Sequence, residues 1–140
     1  MDASSGKDVK RYHIECSVSI SRGYSKLTAK KFSLEKLKER ISKAGQRRTI
    51  GYFIEHKFKP EGVTDELARY GFKKGDYTRV IVTWGWTDEA AKEAKRQHIE
   101  LWDFREILDA IATTCRGSRA YFADDTLRTV QLLQRSANKK

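Results

Sequence analysis

Between Thr78 and Ile111 the chain spells two strands and two helices with almost no linker. Arg79-Val80-Ile81-Val82-Thr83-Trp84 is a β-branched run. Thr87, followed by Asp88 and Glu89, offers a cap to a helix carrying Ala90, Ala91 and Ala94, and Ile99-Glu100-Leu101-Trp102 is a second short strand. Phe104, Ile107, Leu108 and Ile111 then recur at helical spacing. That order suggests an α/β sheet whose last two strands are joined by a helical crossover.

The upstream half is patterned less evenly. From Tyr12 to Ile20, Ile14, Cys16, Val18 and Ile20 alternate with His13, Glu15, Ser17 and Ser19, which predicts a strand with its apolar row buried. After a basic connection, Ser21 to Lys31, Ser33 is a predicted N-cap for a helix striped by Leu34, Leu37 and Ile41 and ended by Gly45. Arg47 to Phe58 reads two ways. Ile50, Phe53, Ile54 and Phe58 fit a helix, and Tyr52, Ile54, His56 and Phe58 fit a strand; the helix accounts better for the apolar residues. Pro60 and Gly62 should break that element, Thr64 should start a short helix closed by Gly71, and a Lys73-Lys74-Gly75-Asp76 turn should feed the central strand, Tyr77 to Trp84. Asp124 and Asp125 open a last helix with Leu127, Val130 and Leu133. The expectation is one domain over residues 1–140, with disordered ends at 1–9 and 137–140.

The net charge of +10 is unevenly spread: residues 1–60 hold 15 Lys/Arg against 6 Asp/Glu, and residues 61–140 hold 14 against 13. A segregated basic surface attracts phosphate backbones, because each neutralised phosphate releases condensed counterion. The same charge also fits a solvated lysine-rich face. Arg22, Lys30, Lys31, Arg47 and Arg48, with Lys26, are the candidate nucleic-acid contacts, arginine offering a bidentate fork and lysine a point charge. Neither a membrane-length apolar run nor the apolar core of a signal peptide is present, so the expected location is the cytoplasm. Cys16 and Cys115 are expected as unpaired thiols.

The "VIVT" strand, the alanine helix, "IELWD" and the apolar helix from Phe104 together resemble the C-terminal half of the Mrr-like restriction endonucleases, members of the PD-(D/E)xK nuclease superfamily. The resemblance covers roughly residues 10–111, with an insertion near 46–77. It implies a restriction-endonuclease-like fold, a small mixed central sheet flanked by helices, acting on DNA with Mg²⁺ as cofactor. Such enzymes place an Asp on one strand and an acidic-x-Lys pair on its neighbour, where a spacing of two puts both side chains on one face. Here His13-Ile14-Glu15-Cys16-Ser17 resembles that second strand, with Glu15 as the metal-binding carboxylate and Ser17 where lysine is usual. Because Ser17 has neither the charge nor the basicity of lysine, a working site would draw a cation from Lys26, Lys30 or Lys31. Only 14 residues precede Glu15, so the first Asp is expected either in a segment upstream of Met1 or not at all, in a fragment or a non-catalytic relative. The alternative is therefore a nucleic-acid-binding or assembly module that keeps the scaffold. A homodimer, or a partner chain completing the sheet, is the third expectation.

Other motifs are weaker. Glu55-His56-Lys57 matches acidic-x-Lys by letters and would count if Tyr52 to Phe58 were a strand; Glu93-Ala94-Lys95 falls on a helix and reads as surface. No four-ligand zinc set and no phosphate-binding glycine loop is present. Trp84, Trp86 and Trp102, at the ends of the two strands, read as rim packing before they read as base-stacking platforms.

Overall fold

A computed structural model of the chain describes residues 9–18, 26–41, 43–117, 128–129 and 132. Arg22 and most of the helix expected from Asp124 lie outside those residues, as do the expected disordered ends except Val9. The elements run β1 (Tyr12–Ser17), α1 (Leu34–Lys38), α2 (Lys43–Arg47), α3 (Ile50–Phe53), a π-helical turn (Ile54–Phe58), α4 (Glu61–Arg69), β2 (Thr78–Thr83), α5 (Asp88–Arg96), β3 (Ile99–Asp103) and α6 (Phe104–Gly117). The chain divides into two compact units, Met1–Trp102 and Asp103–Lys140.

The first unit is α/β, built on a three-stranded sheet in the order β1-β2-β3. That sheet is parallel, which corrects the expected mixed sheet. β2 is central and its Val80, Ile81, Val82 and Thr83 are buried, the continuous apolar run of a strand covered on both faces. The core gathers Leu27, Ile50, Phe53, Ile54, Phe58, Ile81, Ala90, Ala94 and Ile99. Thr87 caps α5 by accepting the Ala90 N–H at 3.2 Å, and Ala90 and Ala94, four apart on one face, are buried. Small side chains let this helix sit close to its neighbours.

Residues 50–58 are helical, after a break at Arg48 and Thr49, so Glu55-His56-Lys57 is not an acidic-x-Lys strand. Thr49 caps α3 through the Tyr52 N–H, and the ladder then widens: the Lys59 N–H reaches the Ile54 carbonyl at 2.9 Å, an i→i+5 bond. Residues five apart thereby stand about one turn apart. Phe53 and Phe58 consequently share the buried side, both 2% exposed, with ring centroids 6.5 Å apart. Three boundaries differ from expectation. Ser33 does cap α1, but that helix stops at Lys38, and Gly45 lies inside α2 instead of ending a longer helix. Leu34 and Ile41, left exposed, give a longer stripe nothing to bury against. Helix α4 begins at Glu61, ahead of Thr64, because Pro60 presets the entry and its carbonyl accepts the Val63 and Thr64 N–H groups. Its end is as expected: Gly71 at φ +83° lets the Phe72 N–H reach the Leu67 carbonyl at 2.9 Å.

The second unit contains α6. Asp103 Oδ1 accepts the Arg105 N–H at 2.9 Å at its start, and Cys115 is buried near its end. Both cysteines are free. No helix among the described residues is long and apolar enough to cross a membrane.

Candidate nucleic-acid interface

Strand β1 pairs in parallel with β2, His13 opposite Arg79, Glu15 opposite Ile81 and Ser17 opposite Thr83. Glu15 and Ser17 share a face, as their spacing requires. The face itself is reversed from expectation. Ile14 is 44% exposed and Cys16 is exposed, whereas His13, Glu15 and Ser17 are half-buried on the side of the sheet where Ile81 meets the core. Alternation fixes the period of a strand and leaves open which row turns inward. Here the polar row is accommodated in part by a contact within it: His13 Nε2 donates to Glu15 Oε1 at 3.0 Å and the His13 ring packs edge-on against Phe58 at 4.9 Å, while His13 Nδ1 is buried without a hydrogen-bond partner among the described residues. β1 is also at the sheet's edge, where cover over an apolar row is thinnest.

Glu15 is thus partnered by a histidine. Among the described residues the ion pairs are His13–Glu15, Arg69–Glu66, Arg96–Glu93 and Arg105–Asp103, so Lys26, Lys30 and Lys31 make none with it. Mg²⁺ prefers several oxygen ligands in octahedral array. The residues registered around Glu15 on this face are His13, Ser17, Arg79, Ile81 and Thr83, and among the described residues no group of three His, Cys, Asp or Glu gathers anywhere. One carboxylate held by histidine, with Arg79 on the same face, does not fit a magnesium site.

The candidate nucleic-acid contacts are brought together elsewhere. Leu27, 1% exposed, is stitched to the end of β2: its N–H donates to the Gly85 carbonyl at 2.9 Å and its carbonyl accepts from Thr87 at 3.0 Å. The Thr28 N–H donates to the Arg48 carbonyl at 2.9 Å, and the Ile50 N–H to the Thr28 carbonyl at 3.1 Å. These bonds set the Lys26–Lys31 segment beside Arg47 and Arg48, with α1 and α2 between them in the chain. Buried Thr49, Gln46, which accepts the Ser33 N–H at 2.8 Å, and Phe32, whose ring meets those of Tyr52 and His56, hold the lobe to α3. Lys26, Lys30, Lys31 and Arg47 are exposed and Arg48 is half-buried.

Residues 26–48 carry nine Lys/Arg and two Glu. None of these cations is in an ion pair among the described residues, while Arg69, Arg96 and Arg105 each hold a carboxylate on their own helix or at its start. Arg40 adds to this density from φ +61°, a left-handed position after α1 that favours glycine by roughly 1–2 kcal/mol. The composition of the first sixty residues had flagged the excess of charge. What it could not show is the Leu27–Thr28 stitch, because two bridging residues carry no periodic signal. Trp86 packs on the core and Trp102 lies 5.4 Å from the Tyr12 ring, donating to Glu100 Oε2, so both serve packing. No protein-family model matches the chain, and neither a curated protein nor a solved structure shows significant similarity to it.

Proposed function

We propose that this chain is a nucleic-acid-binding α/β module that grips the phosphate backbone, DNA being the expected partner, through the lobe spanning residues 26–48. The observation that carries this reading is the concentration there of nine cations without carboxylate partners among the described residues, on a scaffold stitched to the sheet. A lysine or arginine without a carboxylate partner is free to replace condensed counterions on phosphate, which is the source of sequence-independent affinity. Contacts to phosphate carry no sequence information, so the binding expected of this lobe is non-specific in sequence.

The restriction-endonuclease-like reading is second, supported by the common face of Glu15 and Ser17 on β1. It requires a metal-holding carboxylate that the described residues do not supply, and it stands or falls separately. Fluorescence anisotropy with a random-sequence duplex tests the first reading. Replacing Arg47 and Arg48 with Ala should weaken binding several-fold, whereas replacing Arg69 and Arg96, which already hold Glu66 and Glu93, should leave it nearly unchanged. Equal loss from both pairs would reduce the lobe to one part of a diffuse positive field. Glu15→Gln should bind as the unmutated chain does. Mg²⁺-dependent cleavage that this variant abolishes would raise the nuclease reading above the binding module.

A further inference from the structure

A cleft of about 810 Å³ opens at the other end of β2, between the π-helical turn, α4 and the turn that feeds the strand. Its wall includes Phe58, Phe72, Tyr77 and Arg79, with Lys59 and Lys74 contributing further cations. The volume lies within the usual range for small-molecule sites, and the lining joins an aromatic wall to several charged groups. The basic lobe joins β2 at Gly85, beyond Thr83, while this cleft meets the strand at Tyr77 and Arg79. About 20 Å of strand separates the two ends.

Arg79 is the group that gives the cleft a chemistry. It is half-buried, its Cζ lies 5.6 Å from the centroid of the Phe58 ring, and one terminal nitrogen donates to the Gln97 carbonyl at the end of α5. That bond and the ring contact hold the guanidinium in place, yet they use one of its five N–H donors. No carboxylate pairs with it among the described residues, although Glu61 and Asp65 line the same cleft. A partly desolvated cation with donors to spare, fixed against a ring, suits an oxyanion held bidentately through two of its oxygens. Beside it, Phe72 and Tyr77, both half-buried, stand edge to face with their centroids 5.9 Å apart and offer aromatic surface to a ring, while buried Phe58 backs the guanidinium from the core side.

We infer that the cleft binds a small aromatic anion: a carboxylate or phosphate seated on Arg79, and the planar body it is attached to seated on Phe72 and Tyr77. Lys59 and Lys74, with Arg79, give the lining three cations against the carboxylates of Glu61 and Asp65, a small positive balance, and the aromatic wall supplies the discrimination against inorganic anions.

Titration with benzoate, phenyl phosphate, inorganic phosphate and neutral benzyl alcohol, followed by the backbone amide shifts of Gly75, Tyr77, Arg79 and His98, tests the inference. Benzoate or phenyl phosphate should give saturable shifts at these amides, with inorganic phosphate and benzyl alcohol each at least roughly tenfold weaker. Arg79→Gln should remove the preference for the anion. Since that substitution also strips a bond from the end of α5, Ala68→Phe provides the independent variant: Ala68 is exposed and lines the cleft, so a ring there fills the space and leaves Arg79 intact. Benzoate shifts should vanish in that variant while its folded spectrum persists. Saturating duplex DNA should leave the shifts in place, which separates this site from the basic lobe. No saturable shift with either aromatic anion, equal affinity for benzyl alcohol, or undiminished binding by Ala68→Phe would overturn the inference.

Discussion

Two glycines in helices show how contacts outside a helix decide the effect of one methyl group. Alanine is favoured over glycine in a helix by roughly 0.5–1 kcal/mol, because glycine gives up more backbone entropy on folding. At Gly62 in α4 an added Cβ would meet nothing within 4 Å, so Gly62→Ala should raise stability by a few tenths to about 1 kcal/mol. At Gly51 in α3 the Cβ would stand 2.9 Å from Phe32 Cβ. Phe32 cannot swing its Cβ aside without moving its backbone, and its ring already meets Tyr52 and His56 at 5.7 and 5.2 Å. Overpacking of this kind costs about 1–3 kcal/mol, so Gly51→Ala should be destabilising despite its better helix propensity. Urea unfolding of the two variants checks the opposite signs; a stabilised Gly51→Ala would mean that the lobe packs more loosely on α3 than described.

At the level of elements, the start of α6 carries a pH-dependent contact. Asp103 accepts from Arg105 Nε at 3.1 Å and from its terminal nitrogen at 2.8 Å, as well as from its backbone N–H. The Arg105 side-chain hydrogen bonds, foremost, hold the Asp103 carboxyl below the usual carboxylate range, against a smaller opposing effect of burial. A carboxyl depressed by folding stabilises the fold above its unfolded value, about 3.9, and loses that contribution as pH falls through the lower folded value. The carboxyl resonance of Asp103 should therefore titrate below that of free aspartate, and Arg105→Ala should move it up; an unmoved midpoint would remove the ion pair from the account. The elements from β2 to α6 were legible because each carries its own signal. Thr87 with Asp88 and Glu89 marks a helix start, Ala90 and Ala94 a close-packed face, and Val80 to Val82 a strand covered on both sides. β1 was legible in period and not in facing, since the inward turn of its polar row rests on a tertiary contact, Phe58 receiving the His13 ring, and on the His13–Glu15 hydrogen bond. The π-turn had no signature either: it depends on Phe53 and Phe58 both seeking the same core, a tertiary demand on a local ladder.

For the whole molecule, charge excess was legible and its organisation was not. The sequence placed the excess in the first sixty residues; the backbone hydrogen bonds that Leu27 donates to Gly85 and accepts from Thr87, and that Thr28 donates to Arg48, are what bring Lys26, Lys30, Lys31, Arg47 and Arg48 to one lobe. The candidate catalytic set fared differently: Glu15 and Ser17 share a face, and Lys26 is seated beside Gly85 at the end of β2, where it pairs with no carboxylate among the described residues. The dependence of duplex affinity on salt tests the phosphate-gripping lobe most directly. A plot of log K against log salt concentration for random-sequence DNA should fall steeply in the unmutated chain. Replacing Arg47 and Arg48 with Ala should flatten it by about 0.9 for each phosphate that is no longer neutralised, while Arg69→Ala with Arg96→Ala should leave the slope unchanged. A flat dependence in the unmutated chain, or one that the Arg47 and Arg48 substitutions do not alter, would contradict the proposed function.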